Sequence, residues 1–114
     1  QSVWTTKLPA EATRAPLVRG EQIYVACGNE LVAVRVDTGK QVWSKSFDSP
    51  LGEARFGEGR VYIATRSGQL WALKASGEVD WEFPARAQVW AAPAPNDDLI
   101  FLGGGDSKLY AILN

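Results

Sequence analysis

The chain repeats itself. Ile23 to Trp43 reads IYVACGNELVAVRVDTGKQVW, Val61 to Trp81 reads VYIATRSGQLWALKASGEVDW, and Leu99 to Asn114 reads LIFLGGGDSKLYAILN, a shortened third copy. The three starts are 38 residues apart, as are Trp43 and Trp81, and the 114 residues amount to three such periods. Within each copy short apolar runs alternate with turn residues, giving strand, tight turn, strand, tight turn, strand. A fixed period near 40 built from short strands is the mark of a β-propeller, whose blades bury their faces only against one another.

The chain divides accordingly. Residues 1–8 form an outer strand of the type that carries Trp43, with Trp4 lying 39 residues before it. Residues 15–47 form one blade, residues 53–83 a second, and residues 89–113 three strands of a last blade. The predicted inner strands are Ala15 to Arg19, Glu53 to Phe56 and Val89 to Ala94, the last followed by a turn at Pro95-Asn96-Asp97-Asp98. Leu31 to Val36 places Leu31, Ala33 and Arg35 on one face and Val32, Val34 and Val36 on the other, so this strand is predicted to be buried on both sides.

The architecture is therefore all-β: three four-stranded antiparallel blades with 38-residue repeats, the last lacking its outer strand while the chain begins with a spare one. Three blades cannot close, because propellers take about four to eight. Two closures fit. A second copy can join head to tail into a six-bladed homo-oligomer, or the missing blades belong to a longer parent chain. An open arc would leave a sheet edge bare. The chain contains no Met and begins Gln1-Ser2-Val3, as a processed mature chain or an excised piece would.

Composition excludes several functions. Net charge is −1, from 12 basic and 13 acidic residues without a block of either sign, so no basic stripe for nucleic acid is present. Apolar runs stay far below the roughly 18 residues of a membrane span. The chain has no His, which removes the commonest general base and metal ligand together, and its single Cys27 cannot form an internal disulfide.

Ala33-Val34-Arg35-Val36-Asp37-Thr38-Gly39-Lys40-Gln41-Val42-Trp43 resembles the repeat of the pyrroloquinoline-quinone (PQQ) propeller family, roughly L-x-A-L-D-x-x-T-G-K-x-x-W. Leu70-Trp71-Ala72-Leu73, Ser76-Gly77-Glu78 and Trp81 match a slightly shortened version, and Leu109-Tyr110-Ala111-Ile112 its first part. The resemblance implies that Trp4, Trp43 and Trp81 are structural and dock on the neighbouring blade, with Gly39 and Gly77 beneath the next indole. The family holds quinone-dependent dehydrogenases and also cofactor-free binding scaffolds, among them the propeller lipoprotein of the outer-membrane β-barrel assembly machinery. The dehydrogenases need a calcium held by oxygen ligands, a catalytic Asp and, as a rule, an adjacent Cys pair. This sequence has one Cys and no evident Asp/Asn/Glu cluster at the blade tops.

Candidate sites are few. Cys27 lies on an apolar strand and reads as a buried small hydrophobe. Gly103-Gly104-Gly105-Asp106-Ser107 lacks the Lys-Ser/Thr of a phosphate loop and joins strand to strand, so it reads as a wide hairpin turn. Asp97-Asp98 reads as a turn pair. Arg14, Gly52 and Trp90 occupy equivalent positions before the inner strands, where propeller ligands bind. Trp90 breaks the repeat, which marks it for function, although a core aromatic would also suit it. Arg14, Arg55, Arg66 and Arg86 would add a basic rim to Trp90 as anchors for a protein or peptide partner, and bare strand edges could capture an extended one.

The expected function is thus a non-catalytic, protein-binding scaffold of the bacterial cell envelope, periplasmic or outer-membrane associated, without quinone or calcium. The alternatives are a fragment of a quinone-dependent dehydrogenase and a propeller fragment whose only activity is self-assembly. Light scattering separates the closures: twice the chain mass means two halves pairing residues 2–8 with residues 108–113, and a single mass assigns the closing strands to a longer parent.

Overall fold

A computed structural model describes residues 4–57, 59–84, 94–96, 99–103 and 108–113. The chain folds into successive antiparallel sheets. Blade one comprises β1 (Leu17–Arg19), β2 (Gln22–Cys27), β3 (Glu30–Arg35) and β4 (Gln41–Ser46), hydrogen-bonded in sequence order. Blade two repeats this with β5 (Arg55–Gly57), β6 (Arg60–Thr65), β7 (Gln69–Leu73) and β8 (Val79–Pro84). Blade three has β9 (Ala94–Asn96), β10 (Leu99–Gly103) and β11 (Leu109–Leu113). These blades are those of an all-β propeller, and they form no closed ring.

The turns follow their sequences. A two-residue link, Gly28-Asn29, joins β2 to β3 with Cys27 opposite Glu30, so every residue of β2 finds a partner on β3. Leu31, Val32, Ala33 and Val34 are all buried, because both faces of blade one are covered. The outer strands each carry one extra residue. Ala33 faces Trp43 while Val34 faces Gln41, which leaves Val42 in a bulge. Ala72 faces Trp81 while Leu73 faces Val79, which leaves Asp80 in the same place.

The apolar core is a series of seams between blades. Tyr24, Ala26, Leu31 and Ala33 of blade one meet Leu51, Ala54, Val61, Ile63 and Leu73 of blade two. Tyr62, Ala64, Leu70 and Ala72 meet Ile100 and Ile112 of blade three. On the other side of blade one, Val25, Cys27, Val32 and Val34 are covered by Trp4 and Leu8. Each fully buried Leu, Ile or Val contributes about 1.5–3 kcal/mol of transfer free energy, so the seams carry most of the stabilisation.

Two expectations need correction in the third copy. Of the predicted inner strand Val89 to Ala94, residues 89–93 lie outside the described residues; β9 runs over Ala94–Asn96, so Pro95 and Asn96, predicted as a turn, pair with Ile100 and Leu99 instead. The repeat also gains a residue here. Phe101 stands opposite Ala94 as Tyr24 stands opposite Leu17 and Tyr62 opposite Arg55. The counterpart of Ile23 and Val61 is therefore Ile100, one residue beyond Leu99. A one-residue slip exchanges the two faces of a strand. The pairing of Ile100 with Ile112 fixes the choice, burying Ile100 completely and leaving Leu99 38% exposed.

Residues 4–8, predicted as an outer strand, carry no strand pairing. Their side chains nevertheless sit where the outer strand of a preceding blade would. Trp4 Nε1 donates to Val36 O at 3.0 Å, as Trp43 Nε1 donates to Ala75 O at 2.8 Å. The Trp4 ring lies on Gly39 and the Trp43 ring on Gly77, so each glycine receives the indole that precedes it in the chain. A strand without a neighbouring strand has no ladder to join, and none of the described strands lies beside residues 4–8. At the far end the outer face of blade three is bare. Leu109 is 74% exposed, whereas its counterparts Leu31 and Leu70 are fully buried.

The seams generate a stability prediction. Gly77 has φ +91°, and an added Cβ would lie 2.8 Å from Trp43 Cδ2. Gly77→Ala should cost about 1–3 kcal/mol through strain and displacement of the indole. Gly20→Ala has open space at φ +61° and should cost only about 1 kcal/mol. Urea denaturation of both variants reads the difference; equal losses would mean that the indole does not press on the glycine.

Candidate functional site

The antiparallel strands place the turns at two ends. One end holds the links 28–29 and 66–68 and the segments that enter each blade. There the chain is tied together by its backbone. Phe47 N–H donates to Asn29 O at 2.8 Å and Leu51 N–H to Gly28 O at 3.0 Å. Gly52 N–H donates to Ala64 O at 2.8 Å and Arg66 N–H to Pro50 O at 2.9 Å. Ser67 N–H reaches Ser49 Oγ at 3.0 Å. The segment from Phe47 to Gly52 thus bridges the turns of both blades, and Thr13 is tied to Ala26 O in the same way at 2.9 Å. This end is a stiff frame for whatever projects from it.

The predicted binding residues fall as follows. Arg14 and Arg66 both project, exposed, from this end. Arg55 opens β5, with Glu53 Oε1 at 3.1 Å from its Nη1, so its charge is locally offset. Arg86 and Trp90 lie outside the described residues. Arg14 stands three residues before β1, and Gly52 three before β5. A Cβ on Gly52 would meet Ala64 O at 3.3 Å, a tight approach at the position where the first copy has Arg14.

Cys27 is buried, and burial, followed by the nearby Glu30 carboxylate, pushes its thiol above the ordinary value. Among the described residues no group of three His, Cys, Asp or Glu side chains could hold a metal ion. Nor is any described helix long and apolar enough to cross a membrane.

The opposite end carries a feature that sequence reasoning missed. An open cleft of about 720 Å³ lies at the seam between blades one and two, lined by Arg19, Gln22, Tyr24, Val42, Phe56 and Ala75. The Arg19 guanidinium stacks 4.6 Å above the Phe56 ring centre. Gln22 Nε2 donates to Tyr24 Oη and to Ala75 O, both at 3.1 Å, while its Oε1 is buried without a partner. The other buried orphan among the described residues is Trp71 Nε1, on a ring edge-on to Phe47 at 5.3 Å. Arg35, at the rim of the cleft, is held by Asp37 through two contacts of 2.9 and 3.0 Å and by Glu21 at 3.9 Å. The signal for the cleft was present in the repeat: Arg19, Gln22 and Val42 stand where blade two has Gly57, Arg60 and Asp80.

A family model described as outer membrane protein assembly factor BamB matches residues 1–51 and again residues 28–113. The chain belongs to this PQQ-like propeller family. The BamB of Nitrosomonas eutropha is 26% identical over 96% of this chain, which spans 28% of that protein. The crystal structure of BamB from Moraxella catarrhalis superposes with a TM-score of 0.76 at 11% identity, covering 92% of this chain and 32% of that one. The quinohemoprotein alcohol dehydrogenase from Comamonas testosteroni gives 0.72 at 19% identity, over 84% of this chain and 17% of that one. At such identities the two structural matches show the blade fold alone. The chain spans less than a third of each of these relatives.

The Arg35–Asp37 pair yields a pH prediction. The hydrogen bond from Arg35 holds the Asp37 carboxyl below its ordinary range. A depressed carboxylate contributes stability above its unfolded value of about 3.9, and that contribution fades as pH falls through the lower folded value. NMR titration of Asp37 should give a midpoint below that of an Asp in an unfolded peptide, and Arg35→Gln should raise it. An unchanged midpoint in the variant would show that the pair does not form in solution.

Proposed function

We propose that this chain is part of a non-catalytic scaffold propeller of the bacterial cell envelope, of the outer-membrane assembly type, that binds a protein or peptide partner. The observation that carries the reading is the BamB family match along nearly the whole chain. The stiff end bearing Arg14 and Arg66 suits this role, because hydrogen-bonded loops present side chains with little ordering cost on binding. Arg55, Arg86 and Trp90 belong to the proposed anchor set. A periplasmic or outer-membrane-associated location and the absence of quinone and calcium are parts of the same reading. The bare face of blade three would be covered by further blades, from a longer parent or from a second copy.

The test has two arms. The chain and its Arg14→Glu/Arg66→Glu variant are immobilised and offered purified outer-membrane assembly proteins in detergent. The native chain should bind and the variant should bind at least about tenfold more weakly. Binding without loss in the variant would remove the arginines from the interface, and no binding by the native chain would overturn the scaffold reading. The second arm adds quinone, calcium, a primary alcohol and a reducible dye. No turnover is expected, and dye reduction would restore the dehydrogenase reading.

A further inference from the structure

The two seams solve the same problem with different residues. At the second seam Gly57 lies flush against Pro95, where an added Cβ would stand 2.7 Å from the proline Cβ. The neighbouring Arg60 pairs with Asp80, the residue in the bulge of β8. That pair is less than one-third exposed on both sides, so the polar demand of this corner is met within the blade. At the first seam the three corresponding positions are Arg19, Gln22 and Val42. None of these can reproduce the arrangement. Val42 offers no carboxylate and is 50% exposed, and Gln22 is left with a buried acceptor that finds no donor. Arg19 stacks on Phe56, the counterpart of Pro95, and among the described residues no carboxylate pairs with it.

Arg19, Gln22 and Val42 all line the same open cleft. A guanidinium seated over an aromatic ring keeps N–H groups available to take a carboxylate through two hydrogen bonds. The cleft also has apolar surfaces from Val42 and Phe56. The cleft is within the size range of ligand sites, but it is open along the seam and not enclosed. We infer that the cleft between blades one and two is a docking site for an extended acidic segment of a partner protein. A carboxylate of that segment engages Arg19, and an apolar side chain rests on Val42 and Phe56. Arg35 is already neutralised by Asp37 and Glu21, which leaves Arg19 as the recognising charge. This site lies at the opposite end of the blades from Arg14 and Arg66, and it stands whether or not the assembly reading holds.

The test uses the full chain labelled with ¹⁵N and the blocked peptide acetyl-Ala-Glu-Leu-Glu-Ala-amide, with its Lys-for-Glu counterpart as control. The acidic peptide should produce saturable amide shifts at Gly20, Glu21, Gln22, Ala75 and Ser76. The basic peptide should not. Arg19→Gly should weaken binding at least about tenfold. A second variant, Arg19→Gly/Gln22→Arg/Val42→Asp, installs the residues of the other seam. It should fold, because that corner already exists in blade two, and it should not bind. Shifts confined to the Arg14 and Arg66 end, equal response to both peptides, undiminished binding in the triple variant, or no saturable shifts would each overturn the inference.

Discussion

An indole seated on a glycine is the contact that turns separate sheets into a row of blades. Trp43 belongs to the outer strand of blade one, and Gly77 to the last turn of blade two. The ring can approach the backbone only because Gly77 has no Cβ, and its N–H then reaches Ala75 O in the same turn. The other side of the same indole leans on Tyr24 at 5.9 Å, and Trp81 leans on Tyr62 at 6.0 Å with the same 46° tilt. One side chain thus links the outer strand, the inner face of its own blade and the turn of the next. Remove that approach and the apolar faces of the seams lose the angle at which they interdigitate.

Much of this was legible in the sequence. The repeat, the order of strands within the blades and the double burial of β3 follow from patterns that physical chemistry makes redundant: a turn signal and an alternation agree in each copy, and a Trp in the first two. The third copy was misread because it offers Leu99, Ile100 and Leu102 in a near-continuous apolar run. Periodicity alone cannot choose a register in such a run, and only the cross-strand partner Ile112 does so. The unpaired state of residues 4–8 was unreadable for a related reason, since pairing belongs to two strands and no described strand lies beside these residues.

The surface was less legible than the core. Arg14 and Arg66 share one end of the blades because antiparallel strands force alternate turns together, which sequence order does predict. Arg19, Gln22 and Val42 come from three strands of blade one, and they line a cleft only when Phe56 and Ala75 of blade two are docked beside them. Their significance is relational. A Gln is unremarkable until the same corner of the next blade shows an Arg satisfied by an Asp.

The extra residue in each outer strand has a wider consequence. Every other position of β4 and β8 faces a cross-strand partner and must suit it. Val42 and Asp80 face none, so their identity is not dictated by the ladder. The fold thereby provides one unconstrained letter per blade, always delivered to the same corner. A row of otherwise interchangeable sheets can in this way carry a different chemical label at each joint without disturbing the joint itself.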